Sequence, residues 1–357
     1  MKSLAIYAGP RAREHLRQHG LRPGDVRAIP AAAGGPKGLI LNPLDRFIFG
    51  RWLAGSPQTV HLLGASIGAW RMACACLPDA EEALATLAED YITQDYEHAP
   101  GKAPTARHVS EVFGAKIRQR FGGREAEVLS HPQRRLHVFT SRGRLLLNRE
   151  GRLRTPIGYA GAFAANALNR RALGGWLERV VFSDAREPLP FGLGDYRTHA
   201  AALSAANLSP AILASCSIPF WLDAVHDIPG GPRGAYWDGG ITDYHLHLDY
   251  AAMDRGLVLY PHFQNTVVPG WLDKALKGRH RASPRLDNLV LLAPHPDWVR
   301  RLPNAKLPDR SDFKAYGEDF AGRVKAWRLA LAESRRLADE FEALVMGGGA
   351  IEALPLP

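Results

Sequence analysis

The fold is decided by the segment Thr59-Val60-His61-Leu62-Leu63-Gly64-Ala65-Ser66-Ile67-Gly68. The mostly apolar run over residues 59–63 enters a glycine-rich turn and then a helical stretch, which predicts a buried strand followed by a helix. The turn has the pattern G-x-S-x-G, in which small flanking residues allow a serine to occupy a sharp strand-to-helix turn. Ser66, flanked by Gly64 and Gly68, is therefore a candidate nucleophile. A glycine turn with a serine helix cap is the alternative interpretation.

A second glycine-rich turn lies upstream, where the predicted strand over residues 26–31 is followed by Ala33-Gly34-Gly35-Pro36-Lys37-Gly38. Open α/β sheets bind their ligands at the carboxyl ends of strands, which is where both turns would lie. A phosphate loop would need G-K-[ST], and the dinucleotide motif would need a glycine in place of Ala33. The pattern instead favours an oxyanion hole over Gly34, Gly35, Lys37 and Gly38, in which Pro36 cannot donate because it has no N–H.

Further segments alternate between strand and helix patterns. Residues 136–140 and 179–183 are predicted strands, whereas residues 81–91 and 159–168 have apolar side chains at helical spacing. This alternation predicts an α/β protein with a mainly parallel central sheet flanked by helices.

A change in composition divides the chain near residue 260. Residues 261–310 are rich in proline, histidine and arginine, and residues 313–345 have apolar side chains near helical spacing. We therefore expect a catalytic domain over residues 1–260. Residues 261–357 would then form a basic loop region and a C-terminal amphipathic helix that packs on this domain.

The composition is that of a globular protein. Hydrophobic residues make up 46% and charged residues 23% of the 357 residues, which excludes the disordered and fibrous classes. No signal-peptide pattern and no run of about 18 apolar residues is present, so we expect a cytoplasmic protein. The three cysteines include no CxxC pair, which argues against a disulfide framework or a cysteine zinc site. The net charge of +9 favours an anionic partner.

Two later motifs complete the pattern. Trp237-Asp238-Gly239-Gly240 places a carboxylate before a tight turn, and the segment Ala214-Ser215-Cys216-Ser217-Ile218-Pro219-Phe220-Trp221 precedes it. Read in order with the two glycine-rich turns, these motifs resemble the patatin-like phospholipase family over about Val26 to Tyr250. The departures are Ala33, in place of the first glycine of the family's loop, and Ser217, in place of the usual alanine.

The resemblance implies a patatin-like fold and a serine hydrolase that cleaves the carboxyl ester of a phospholipid or another acyl lipid. Ser66 would correspond to the family's nucleophile and Asp238 to the residue that activates it, with no histidine, cofactor or metal. An aspartate is a weak base at its ordinary pKa near 3.9, so burial or positioning has to compensate. The headgroup, the chain length and the position of the ester stay open.

Two alternatives stay open as well. An α/β-hydrolase would use a Ser-Asp-His triad, whose base would be one of His245, His247, His262, His280 and His295. A catalytically weak protein that binds a lipid or a partner would belong to a different class. The spacing of His245 and His247 could ligate a metal, but no third ligand is identifiable, so no metal is expected.

The segment over residues 271–281 combines Trp271 with two leucines and the basic side chains of Lys274, Lys277, Arg279 and Arg281. Such a segment could dock on an anionic bilayer. We therefore expect an acyl lipid as substrate, peripheral contact with an anionic membrane, and no nucleic-acid partner.

Overall fold

A computed structural model describes residues 2–97 and 104–357. The strands in these ranges are β1 Leu4–Ala8, β2 Val26–Ala31, β3 Val60–Ala65, β4 Arg134–Gly143, β5 Leu177–Ser183, β6 Thr198–Ala202, β7 Val225–His226, β8 Ala235–Trp237, β9 Leu257–Pro261, β10 Leu289–Pro294 and β11 Leu354–Pro355. The α-helices are α1 Pro10–His19, α2 Asn42–Phe47, α3 Ile67–Ala75, α4 Ala80–Ile92, α5 Ala106–Phe121, α6 Glu125–Ser130, α7 Arg154–Leu168, α8 Leu208–Cys216, α9 Gly240–Asp243, α10 Pro296–Val299, α11 Ser311–Tyr316, α12 Phe320–Glu333 and α13 Arg335–Met346.

The strands form one mixed sheet in the order β11, β1, β10, β9, β2, β3, β4, β5, β6. Neighbours in this order are parallel except β1 with β10 and β4 with β5. Outside this order, β8 pairs with β4 and β7 pairs with β8, and both pairings are antiparallel. The central strands β2 and β3 are buried along nearly their whole length, and each is apolar except for one residue, Arg27 in β2 and His61 in β3. The mainly parallel α/β architecture flanked by helices is confirmed.

Most of the predicted elements are found close to their predicted positions. The strand predicted over residues 26–31 coincides with β2, and the strand predicted over residues 59–63 corresponds to β3, which continues to Ala65. The helix predicted over residues 159–168 begins earlier, at Arg154, because Pro156 is tolerated in the first turn of a helix.

The predicted C-terminal helical extension is confirmed, and it consists of several helices. The helical stretch predicted over residues 313–345 is divided into α11, α12 and α13, and Gly317, with a φ of 53°, ends the first of them. Strand β10 lies between β1 and β9, so residues beyond 260 contribute to the same sheet. The division into domains at residue 260 stays a prediction.

The helices and the cysteines bear on membrane insertion and on disulfide formation. None of the helices in residues 2–97 and 104–357 is both long and apolar enough to cross a membrane. Cys74, Cys76 and Cys216 are free and buried. Burial raises the pKa of the Cys76 thiol to about 12, so this side chain packs as a small apolar group.

Candidate active site

The two glycine-rich turns leave the sheet side by side. Strands β2 and β3 are parallel neighbours, with Ala31 opposite Gly64, so their carboxyl ends meet at one edge of the sheet. Ser66 follows β3 with φ 56° and ψ −130°, a backbone conformation that residues other than glycine rarely adopt. The structure thus places Ser66 in a strained strand-to-helix turn, as a nucleophile elbow requires.

Close approach of the backbone explains the two glycines of this turn. A Cβ atom on Gly68 would lie 2.0 Å from the carbonyl oxygen of Ala31, and one on Gly64 would lie 2.3 Å from the Cα of Ala69. Side chains do not come this close to backbone atoms, so either substitution would push α3 away from the sheet. The packing of the turn therefore requires glycine at both positions.

Asp238 lies directly beside Ser66. The Ser66 hydroxyl donates a hydrogen bond to Oδ2 of Asp238, with 2.6 Å between the oxygens. The other carboxylate oxygen, Oδ1, accepts a hydrogen bond from the N–H of Gly240 at 2.7 Å. Ser66 is 3% exposed and Asp238 6% exposed, so protein atoms largely shield the contact from water. A hydroxyl and a fixed carboxylate within hydrogen-bond reach have the geometry of a nucleophile and its base.

Burial raises the pKa of Asp238 to about 6. The loss of hydration disfavours the ionised carboxylate, and this effect outweighs four contributions that lower the pKa. Those contributions are the hydrogen bonds from Ser66 and Gly240 and the positive charges of Arg310 and Lys274. A carboxylate with a raised pKa is a stronger base than one at its ordinary value. Burial therefore supplies the compensation that an aspartate base needs.

Ser215 holds the two halves of the site together. Its hydroxyl accepts a hydrogen bond from the backbone N–H of Ser66 at 2.8 Å and donates one to the carbonyl of Phe139 at 2.7 Å. Its carbonyl accepts a hydrogen bond from the N–H of Gly239 at 3.0 Å. One residue thus connects the serine turn, strand β4 and the loop that carries the aspartate. The sequence indicated the motif around Ser215 but not this positioning role.

The upstream glycine-rich loop lies at the same opening. Gly34 and Lys37 line the cavity that contains Ser66. Gly35 adopts a φ of 57°, in the left-handed region, and begins a short 3₁₀ helix over Gly35–Leu41. Gly38 lies deeper, where an added Cβ would be 3.6 Å from the side chain of Ile67. Gly34 and Lys37 thus share a cavity with Ser66, and an oxyanion hole in this loop stays a prediction.

Two cavities meet at Ser66. One, of about 670 Å³, is lined mostly by apolar side chains such as Phe113 and Leu222. The other, of about 310 Å³, contains Asp238 and three cationic side chains. Ser66 and Arg310 line both cavities. An apolar compartment and a charged compartment on two sides of one serine are suited to an amphiphilic ligand.

The three cations of the smaller cavity are Lys37, Lys274 and Arg310. Removal from water, together with the positive charges of Lys37 and Arg310, lowers the pKa of Lys274 to about 8. Removal from water also lowers the pKa of Lys37. Asp309 lines this cavity as well, but it forms an ion pair with Lys306 at 2.9 Å. The cavity is therefore positively charged beside the serine.

Part of the basic segment over residues 271–281 contacts the cavity and a buried carboxylate. Lys274 is exposed and lines the cavity that contains Ser66. Arg279 forms an ion pair at 2.8 Å with Asp273, whose side chain is buried. The exposed basic side chains of the segment include Lys277 and Arg281. Docking of this segment on a membrane stays a prediction.

The histidines that follow Asp238 make contacts away from the serine. Their ring nitrogens contact the N–H of Val268 (His245), the hydroxyl of Ser283 (His247), the N–H of Gln264 (His262), the carbonyl of Asp273 (His280) and the N–H of Asp297 (His295). Burial lowers the pKa of both His245 and His262. Within the part of the chain that the structure describes, no group of three or more histidine, cysteine or acidic side chains could hold a metal ion.

Comparison with known proteins gives a family match and similarities to solved structures. Residues 52–246 match the family described as patatin-like phospholipase. The chain is similar to VipD from Legionella pneumophila, with 12% identity, a TM-score of 0.39, and coverage of 88% of this chain and 67% of that chain. It is also similar to human GIVD cytosolic phospholipase A2, with 12% identity, a TM-score of 0.36, and coverage of 96% and 65%. The chain thus spans about two thirds of either structure. No curated protein sequence matches it.

Proposed function

Because this chain belongs to the patatin-like phospholipase family, we propose that it is a serine lipid acyl hydrolase that works through Ser66 and Asp238. The observation that carries the proposal is the buried 2.6 Å hydrogen bond from the Ser66 hydroxyl to the Asp238 carboxylate. The strained turn of Ser66 and the facing glycine-rich loop support the same roles. No cofactor takes part in this proposal.

In the proposed reaction, Oγ of Ser66 attacks the ester carbonyl carbon while the hydroxyl proton passes to Oδ2 of Asp238. The carbonyl oxygen becomes an oxyanion, which backbone N–H groups of the Gly34 to Gly38 loop stabilise. The ester C–O bond then breaks, and Asp238 gives its proton to the leaving alcohol, which leaves an acyl group on Ser66. Water that loses a proton to Asp238 attacks this acyl-enzyme, releases the fatty acid and, as the proton returns, restores the serine hydroxyl.

The two cavities favour a phospholipid over a neutral lipid as substrate. The larger cavity offers an apolar surface for an acyl chain, and its volume of about 670 Å³ is in the usual range of ligand sites. Lys37, Lys274 and Arg310 line the smaller cavity and would face the polar end of the same molecule. A phosphate is the anionic group of a phospholipid, and lysine and arginine are its ordinary partners in proteins.

The geometry disfavours the triad alternative. Both oxygens of Asp238 have partners, Ser66 and the N–H of Gly240, and neither partner is a histidine. The two cavities at Ser66 are lined without any of the histidines that follow Asp238. A triad would need a rearrangement that breaks the contact between Ser66 and Asp238.

A panel of substrates tests the proposal. Wild-type protein, Ser66→Ala and Asp238→Asn are assayed on phosphatidylglycerol, phosphatidylcholine, a triacylglycerol and a short soluble ester. Ser66→Ala is expected to remove hydrolysis of every substrate, and Asp238→Asn to lower kcat by about 10²–10⁴. Replacement of each histidine that follows Asp238 by glutamine is expected to preserve activity in folded samples. Loss at one histidine equal to that of Asp238→Asn would establish the triad. A folded wild type that hydrolyses none of the substrates would favour the alternative of a catalytically weak protein that binds a lipid or a partner.

The same panel tests the substrate class. Lys274→Gln combined with Arg310→Gln is expected to lower kcat/KM on the phospholipids by about 10-fold to 100-fold, as loss of charged hydrogen bonds does. At pH 9, well above the Asp238 pKa of about 6, hydrolysis of the short neutral ester should be nearly unaffected. Lys277→Gln, an exposed lysine of the same segment, is the matched control. Equal losses on charged and neutral substrates would show that these cations do not select the headgroup.

A further inference from the structure

Helix α7 presents an uncharged, apolar face to solvent. Every exposed residue from Pro156 to Leu168 is apolar. The largest are Ile157, Phe163 and Leu168, which are 57%, 42% and 88% exposed. An isolated exposed hydrophobic residue is ordinary, but a whole helix face of this kind marks an interaction surface.

The opposite face of the same helix is firmly held by the protein. Tyr159 and Ala162 are buried in a cluster with Trp237, the residue before Asp238. The rings of Tyr159 and Trp237 lie edge to face, with 6.0 Å between centroids. The helix is therefore a fixed part of the fold, and its outer face is exposed although the inner face is fully packed.

Contacts of buried α7 residues connect the helix to the linings of both cavities. Tyr159 contacts the ring of Phe220, with centroids 6.0 Å apart, and Phe220 is 59% exposed. Trp221, which follows it, is 52% exposed and lines the apolar cavity at Ser66. At the other end of α7, Asn166 donates a hydrogen bond at 2.8 Å to Asp273.

Asp273 anchors the segment that carries the second exposed tryptophan. Trp271 is 38% exposed and lines the cationic cavity that also contains Ser66. An exposed tryptophan thus lines each of the two cavities. Tryptophan is enriched where proteins meet the headgroup region of a bilayer, because one side of its ring system is apolar and its N–H is polar.

Positive charge surrounds this face. The chain between Gly151 and Leu177 contains four arginines and no acidic residue. Arg152 and Arg154 lie at the start of α7 and Arg171 lies just beyond its end, and all three are exposed. Arg170, which precedes Arg171, is instead paired with the buried carboxylate of Asp273 at 3.2 Å. Arginines at the border of an apolar face are placed to contact lipid phosphates while the apolar side chains enter the acyl region.

We propose that the outer face of α7, together with Phe220, Trp221 and Trp271, is a docking surface for an anionic lipid bilayer. Docking would hold both cavity openings against the lipid layer, so that a lipid could pass from the bilayer to Ser66. The positive border selects this occupant over a second copy of the chain, because the same face of a second copy would carry the same charges. The inference goes beyond the proposed hydrolysis and does not depend on it.

Vesicle co-sedimentation tests the docking surface. Full-length Ser66→Ala protein, which cannot consume the vesicles if Ser66 is the nucleophile, is mixed with vesicles of equal parts phosphatidylcholine and phosphatidylglycerol. In this background the triple variant Ile157→Gln, Phe163→Gln, Leu168→Gln removes the largest side chains of the face. The matched control is Leu329→Gln, Met346→Gln, Leu354→Gln, which replaces three residues that are 51%, 73% and 54% exposed on other elements.

We expect the α7 triple variant to lose vesicle affinity by about 100-fold or more, since each residue contributes roughly tenfold. The control triple variant should bind as the parent does, and pure phosphatidylcholine should bind the parent more weakly. Equal losses in the two triple variants, or no binding of the parent to the anionic vesicles, would overturn the proposal. Sedimentation velocity tests whether a second copy of the chain covers this face instead. A dimeric parent and a monomeric α7 triple variant would make the face a protein interface and overturn the proposal.

Discussion

The guanidinium of Arg71 and the carboxylate of Asp45 form a buried, bidentate ion pair. The distances are 2.7 Å from Nε to Oδ2 and 2.8 Å from Nη2 to Oδ1, and both side chains are at most 5% exposed. Arg71 belongs to α3, which follows the serine turn, and Asp45 belongs to α2, which follows the glycine-rich loop. The pair therefore fixes the helix behind the nucleophile against the helix behind the candidate oxyanion hole.

Removal of one partner should be costly, because it leaves the other charge buried. Arg71→Met is expected to lower the free energy of unfolding by about 3–5 kcal/mol. Arg46→Met is the control, because Arg46 pairs with Glu81 at the surface at 3.1 Å and such pairs contribute about 1 kcal/mol or less. Urea unfolding of both variants measures the difference. Similar small losses in the two variants would mean that the buried pair does not hold the helices.

The pH dependence of activity should follow the ionisation of Asp238. The carboxylate must be ionised to accept the serine proton, so kcat/KM is expected to rise with pH and to level off above a pKa of about 6. The charge of Arg310 lowers this pKa, so Arg310→Gln should move the rise to higher pH. Hydrolysis of the short soluble ester from pH 4 to pH 9 measures both profiles. If the rise in kcat/KM occurs at the same pH in Arg310→Gln as in the wild type, the rise reports the ionisation of a group other than Asp238.

The same ionisation predicts a gain in stability when the aspartate is neutralised. The folded protein holds the Asp238 pKa at about 6 against an ordinary value of 3.8, so it binds more protons than the unfolded chain between these values. Wild-type stability should therefore fall as pH rises through this window. Asp238→Asn escapes that loss and should be more stable at pH 8 by up to about 3 kcal/mol. The difference should vanish below pH 4. Thermal unfolding at the two pH values checks the prediction, and a less stable variant at pH 8 would contradict it.

Ser215 should matter for both folding and reaction rate. Ser215→Ala removes the acceptor for the Ser66 N–H and the donor to Phe139, and each buried group left unpaired costs about 1–3 kcal/mol. The serine turn would also lose its tie to β4, so kcat should fall while KM changes little. Ser217→Ala is the control, because the Ser217 hydroxyl donates to the carbonyl of Leu213 at 3.0 Å. Equal effects of the two variants would remove the special role of Ser215.

Local patterns were enough to predict the centre of the fold. The strands β2 and β3 are mostly apolar and are followed by glycine-rich turns, and this combination predicts buried strands from sequence alone. The order of the motifs then indicated that Ser66 and Asp238 would meet, although they are 172 residues apart. The helical character of the C-terminal stretch followed from its apolar spacing, but the position of the break at Gly317 did not, because one glycine in a helical pattern does not by itself end a helix.

The positions of two cations of the site, Lys274 and Arg310, could not be predicted. Arg310 lies in a stretch that is rich in proline and arginine, and nothing in its spacing separates it from the surface arginines around it. Lys274 was expected on a membrane surface because it stands among other basic residues, whereas the ion pairs of the neighbouring Asp273 place its segment at the cavity. Such roles depend on tertiary contacts between distant segments, and these leave no periodic pattern in the sequence.

The central claim is that Ser66 is a nucleophile activated by Asp238, and covalent capture tests it most directly. A fluorophosphonate probe is allowed to react with the folded protein, and the modified peptide is identified by mass spectrometry. The account predicts a single adduct on Ser66, which forms much more slowly in Asp238→Asn, with Ser215 and Ser217 unmodified. An adduct on another serine, no adduct on a folded sample, or an unchanged rate in Asp238→Asn would contradict it.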